Sequence, residues 1–158
     1  MEYNTNYDLS TTVDTELTNK IEENVDGENF IVDLTSRTLS YSSMSANTTE
    51  EKKTLFNVQN NASKRLKDCI NETIALKHVF CEVVNCTNPQ TGETITCPRI
   101  VLIDDKSNGY ACVSIGIFNS LKKLFDVYGE PNQWDRPITI KIKQISKAEK
   151  NILTFDVV

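Results

Sequence analysis

The chain has 158 residues, 39% apolar and 25% charged, enough hydrophobe for one ordinary domain with a core. No run of about 18 apolar residues is present, which excludes a spanning helix, and 5 Gly, 5 Cys and mixed periodicity exclude collagen-like, disulfide-scaffold and coiled-coil classes. A net charge of -5 speaks at first against a nucleic-acid partner.

That charge is segregated. Residues 1–29 hold eight acids (Glu2, Asp8, Asp14, Glu16, Glu22, Glu23, Asp26 and Glu28) against one base, Lys20, a net of -7. The remaining 16 Lys+Arg and 14 Asp+Glu leave the body at +2. Residues 1–28 have few large apolar side chains to offset the entropy of ordering them, so they read as an acidic, disordered N-terminal arm. Tyr3, Tyr7, Leu9, Val13 and Leu17 are its candidate anchors on a neighbouring protomer, which makes a homo-oligomer the expected assembly. Residues 29–158 read as the folded domain.

In chain order, Phe30–Tyr41 is rich in β-branched and aromatic residues and predicts a strand. Thr48-Thr-Glu-Glu51 is a capping box that opens a helix to about Asn60. Ala62–Asp68 predicts a second short helix. Thr73–Cys86 predicts a long strand whose apolar residues do not alternate cleanly, so a bulge or bend is expected. Thr94–Asp104 is a strand with Pro98 at an edge or bulge, and Asn108-Gly109 signals a hairpin into Tyr110–Val113. Ser114 caps a helix over Ile115–Tyr128 with Phe118, Leu121, Leu124, Phe125 and Tyr128 on one face; Gly129 ends it. Pro137–Ile145 alternates, with Ile138, Ile140 and Ile142 opposite Thr139, Lys141 and Lys143. A turn at 148–151 leads into a last strand, Ile152–Val157.

Five or six antiparallel strands with two or three helices predict a mainly β fold, a Greek-key β-barrel of OB-fold-like type, behind the flexible arm.

Little in the chain asks to be catalytic. Cys69, Cys81, Cys86, Cys97 and Cys112 are odd in number and form no Cys-x-x-Cys, so they read as structural thiols of a reducing, cytoplasmic compartment. Four Asn-x-Ser/Thr triplets (Asn47, Asn61, Asn71, Asn85) would matter only after secretion, and no basic-then-apolar leader supports that. His78 has no histidine partner for a metal and no nucleophile pattern beside it. Asp104-Asp105 with Glu82 would suit a magnesium nuclease, but the following Lys-Ser-Asn-Gly makes turn chemistry the better reading. No phosphate-cradling glycine loop is present. No enzyme activity, metal, cofactor or membrane partner is expected.

Single-strand binders combine a basic groove with aromatic faces on which bases stack. The body offers both: Arg37, Tyr41, Lys77, Arg99, Tyr110, Trp134, Arg136, Lys141 and Lys143 are the candidate contacts. Recognition by π-faces is sequence-tolerant and admits RNA as well as DNA. The alternative is an interaction adaptor with no nucleic-acid partner.

Three stretches carry a resemblance: Pro98-Arg-Ile-Val-Leu-Ile-Asp104, the run Tyr110–Pro131 with its Ser-Ile-Gly-Ile-Phe-Asn-Ser-Leu helix start, and Pro137-Ile-Thr-Ile-Lys-Ile142. Together they resemble small single-stranded-DNA-binding proteins encoded by phages and conjugative plasmids of Gram-positive bacteria. The similarity spans roughly 30–158 and leaves the acidic leader outside. It implies an OB-like fold and non-catalytic coating of single-stranded DNA during replication or transfer. Many housekeeping single-strand binders end in an acidic tail; here the acids are at the front, and the chain closes on Thr-Phe-Asp-Val-Val.

Overall fold

The computed structural model describes residues 20–158. They run β1 (Lys20–Val25), β2 (Glu28–Asp33), β3 (Leu39–Ser42), α1 (Thr49–Asn60), β4 (Lys64–Arg65), β5 (Thr73–Thr87), β6 (Thr94–Asp104), β7 (Gly109–Val113), α2 (Ile115–Tyr128), β8 (Ile138–Lys147) and β9 (Lys150–Val157), with 3-10 turns at Leu66–Cys69 and Pro131–Gln133. The five arm anchors Tyr3, Tyr7, Leu9, Val13 and Leu17 lie outside the described residues.

The fold is mainly β, a curled open sheet that makes a half-barrel. Its nine strands are more than the five or six expected. The excess comes from three local features. Residues 20–28, read by composition as part of the arm, are β1, its turn and the first residue of β2. Asp26 and Gly27 sit at φ 51 and 93, the left-handed pair of a two-residue hairpin. The expected single strand 30–41 breaks after Asp33, whose carboxylate accepts from the Thr35 amide and hydroxyl. The expected helix 62–68 is instead β4, parallel to β7, followed by the first 3-10 turn.

β5 is the spine. One edge pairs with β6 along nearly its whole length; the other meets β8 at 73–76, β3 at 80–83 and β2 at 85–87. The register slips between Leu76 and His78, the expected bulge, and there the strand turns from one partner to the next. Pro98 lies where β7 has already ended. Its carbonyl accepts from Ser114, so its missing amide points away from β5 and costs the ladder nothing.

Alternation along β5 and β6 gives each face its own core. Leu76, Val79, Ile100 and Leu102 pack with Ile140, Ile142 and Phe155 against Ile117, Leu121 and Leu124 of α2. On the opposite face Phe80, Val101 and Ile103 meet Val58 of α1, while Val84, Cys86 and Cys97 meet Val25, Phe30 and Val32 of the first hairpin. Cys69, Cys86 and Cys97 are buried and Cys81 and Cys112 half-buried, as small apolar fillers.

The caps follow the sequence. Thr48 and Glu51 close the capping box of α1. Ser114 Oγ accepts from the Ile117 amide at the start of α2, and Gly129 ends that helix at φ 81. The hairpin between β6 and β7 forms where Asn108-Gly109 predicts it, but the left-handed residue is Ser107 (φ 65). Asp104 organises this turn, accepting from the amides of Lys106 and Asn108, the Asn108 side chain and the Tyr110 hydroxyl. Burial works against its charge, yet those donors outweigh it and hold the Asp104 carboxyl below the ordinary carboxylate value. That is the turn role expected for Asp104.

Candidate nucleic-acid interface

The C-terminal end of α2 gathers the aromatic residues. Tyr41 on β3 stands 6.2 Å, centroid to centroid, from Phe125, and Phe125 stands 6.4 Å from Trp134 in an edge-on arrangement. All three rings are half-buried, so each keeps an accessible part. The turn after α2 holds them. The Trp134 indole N–H donates to the Gly129 carbonyl at 2.9 Å, and the Tyr41 hydroxyl donates to Glu130 at 2.8 Å. Burial first, then that carboxylate, pushes the Tyr41 hydroxyl far above its ordinary pKa, so it remains a donor at neutral pH. Beside the row lies a groove of about 590 Å³ whose lining includes Tyr128, Trp134, Asp135, Arg136, Ile138 and Val157.

From this groove β8 carries a basic track. Ile140 and Ile142 point into the core; Lys141, Lys143, Ile145 and Lys147 therefore share the other face, about 6.7 Å apart from one to the next. That spacing is on the scale of an extended nucleotide backbone. Across the hairpin Lys150 pairs with Lys147 and Ile152 with Ile145. The track ends in a groove of about 420 Å³ to which Ile115 and Lys123 of α2, Ile145, Lys147, Lys150 and Ile152 contribute. Two of the lysines have acidic partners: Lys143 lies 2.7 Å from Asp156 and Lys150 lies 2.6 Å from Glu28. These four side chains are 45–56% exposed, so the pairs are worth at most about 1 kcal/mol and yield readily to a phosphate.

Residues 35–158 match the model of the phi29 phage single-stranded DNA-binding protein family. The chain belongs to that family. No curated protein and no solved structure matches it. The family match begins after β2, so it takes in the aromatic row and the β8–β9 track and omits the first hairpin. Among the described residues no helix is long and apolar enough to cross a membrane.

Within this phage single-stranded DNA-binding protein family member, the nine expected contacts divide. Tyr41, Trp134 and Arg136 come together at the end of α2, and Lys141 and Lys143 continue from them. Lys77 is exposed at the β5 bulge, beside a separate groove that includes His78 and Asn132. Tyr110 lies elsewhere, under Lys64 (6.0 Å from ring centroid to Nζ), with its hydroxyl given to Asp104 and pushed up to about 12 by burial and that carboxylate.

Arg99 is engaged inside the fold, whereas Arg37 is exposed at its surface. The Arg99 guanidinium donates to Glu82 at 3.0 Å and to the Gln59 carbonyl at 3.0 Å, and Arg37 lies 3.5 Å from the same glutamate. Arg99 and Glu82 are cross-strand partners and both buried. A buried carboxylate needs a buried cation, so the Arg99 charge is already answered; the exposed Arg37 pair is as weak as those of Lys143 and Lys150.

Lys123, Lys147, Lys150, Phe125, Tyr128 and Glu130 border the same two grooves or the aromatic row and were not among the sequence candidates. The lysines of β8 and β9 were legible: the alternation that marks Lys141 and Lys143 simply continues past Ile145 to Lys147. Tyr128, placed by spacing on the apolar face of α2, is 48% exposed and lines the groove it shares with Ile138 and Val157.

Proposed function

We propose that this protein coats single-stranded DNA in a sequence-tolerant way, with bases on the Tyr41–Phe125–Trp134 row and phosphates along Arg136, Lys141, Lys143, Lys147, Lys150 and Lys123. The juxtaposition of an aromatic row with a period-two lysine track, in a member of a single-strand-binding family, carries the reading. Stacking contributes about 1–3 kcal/mol per base and needs no hydrogen-bond readout, which suits a coating protein. The role has no catalytic step and belongs to replication or transfer of a phage or plasmid genome in the cytoplasm. The acidic residues ahead of β1 link neighbouring protomers along the strand.

Trp134 is the sole tryptophan, so its fluorescence reports directly on the platform. Titration with oligo-dT quenches it, and duplex of equal length does not. Lys141→Glu with Lys143→Glu weakens binding while the thermal transition stays in place. Deleting residues 1–19 lowers oligomer mass and binding cooperativity. Equal affinity for duplex, or no binding to either, overturns the coating reading; an unchanged mass and Hill slope after the deletion overturns the role of the arm.

A further inference from the structure

Two acidic side chains lie near the aromatic platform: Asp135 in the groove beside Arg136, and Glu130 at the rim, bonded to the row itself. Glu130 is exposed, and its Oε1 accepts from the Tyr41 hydroxyl at 2.8 Å. In the turn that follows, its side chain also meets the Gln133 amide. A carboxylate has about four acceptor positions, so two remain. Trp134, at the other end of the row beyond Phe125, is fixed by the backbone of the residue before Glu130. A base lying on these rings therefore has a fixed anion beside its edge, and the strand's phosphates are repelled from that side toward Arg136 and Lys141.

Resting on the single-strand reading above, we propose that Glu130 is a base-reading residue, which accepts a hydrogen bond from the exocyclic amino group of cytosine and disfavours uracil and thymine. A glutamate accepts from cytosine N4. Uracil and thymine turn a 4-carbonyl toward the same place, lone pair against lone pair. The carboxylate is held by Tyr41 and the turn rather than by a cation, so its charge is not neutralised locally. Binding then has a base preference superimposed on stacking that is itself tolerant.

The test compares oligo-dC with oligo-dU, whose bases differ only in the 4-amino or 4-carbonyl group and the N3 proton that goes with it. The full chain is titrated by Trp134 fluorescence at equal length, equal salt and slightly alkaline pH. Oligo-dC binds tighter by about fivefold, the low end of what a single base contact contributes. Glu130→Gln keeps an acceptor for Tyr41 and offers an amide donor to a 4-carbonyl, so it levels or reverses the ratio, with oligo-dC affinity lowered and oligo-dU affinity raised. Tyr41→Phe keeps the ring but removes one hold on the carboxylate, so it lowers the preference without abolishing it. Equal affinities in the parent chain overturn the proposal, as does a preference that survives in Glu130→Gln. The parent ratio decides the matter even where a variant folds poorly. Failure of both oligomers to bind overturns instead the single-strand reading on which the proposal stands.

Discussion

At the scale of single residues, two arginines chosen on the same ground stand in opposite surroundings. Arg99 is 9% exposed and answers the buried Glu82 carboxylate; Arg136 is exposed at the mouth of the aromatic groove. Removing one partner of a buried pair leaves an uncompensated charge, which typically costs about 3–5 kcal/mol. Arg99→Ala is therefore expected to destabilise by about that amount in chemical denaturation. Arg136→Ala leaves the denaturation midpoint within error and weakens oligo-dT binding. Arg37 moderates the first effect, because it lies 3.5 Å from the same glutamate and retains part of the neutralisation. A midpoint shift for Arg136→Ala as large as that for Arg99→Ala would contradict the division. Sequence alone does not separate these arginines. Both stand in strand-like or loop contexts beside apolar residues, and only the cross-strand register, which sets Glu82 opposite Arg99, shows which one is consumed by the fold.

At the scale of elements, α2 and β9 approach each other closely at a glycine. A Cβ on Gly116 would lie 2.3 Å from the Leu153 carbonyl oxygen and 2.5 Å from Ile152 Cγ2. Ser120 and Thr154 join the same surfaces one turn later, at 2.8 Å between hydroxyls. Gly116→Ala is expected to push helix and strand apart and to cost about 1–3 kcal/mol, the usual range for overpacking. The measurement is a thermal or urea transition, and an unchanged transition would refute the close approach. The helix that carries Gly116 was legible because its signals are local: a serine cap, 3/4 spacing and a terminal glycine. The long strands, the bulge and the last hairpin were legible for the same reason. The first hairpin was hidden behind its composition. Asp26-Gly27 is a strong local turn signal, but four acids within nine residues argue for a solvated tail. Tertiary partners reverse that argument. Asp26 accepts from Ser114 Oγ and the Ile115 amide, Glu23 lies 3.3 Å from Arg65 and Glu28 meets Lys150, so three of the four acids are answered by other elements. Val25, Phe30 and Val32 supply the buried face that the composition seemed to lack.

At the scale of the whole molecule, net charge is a poor guide and placement is what counts. The chain carries -5, yet the six cations of the proposed path lie on one continuous surface formed by the turn after α2, the β8–β9 face and the flank of α2. An electrostatic partner of that kind releases counterions in proportion to the phosphates it neutralises, with a log–log salt slope of about -0.7 per phosphate on single strands. Of the six cations, Lys143 and Lys150 must first leave Asp156 and Glu28, so about four phosphates are engaged at full effect and the slope for oligo-dT is expected near -3. Removing Lys141 and Lys147, the two track lysines on β8 that have no acidic partner among the described residues, lowers its magnitude by about 1.4. Removing Lys77, which lies off the path, changes it by less than the error. The quantity to measure is the Trp134 quenching affinity across a salt series for the parent chain and both variants. A parent slope near zero would mean that stacking alone carries the binding. An equal loss from Lys77 would mean that the backbone runs across the β5 bulge and not along β8.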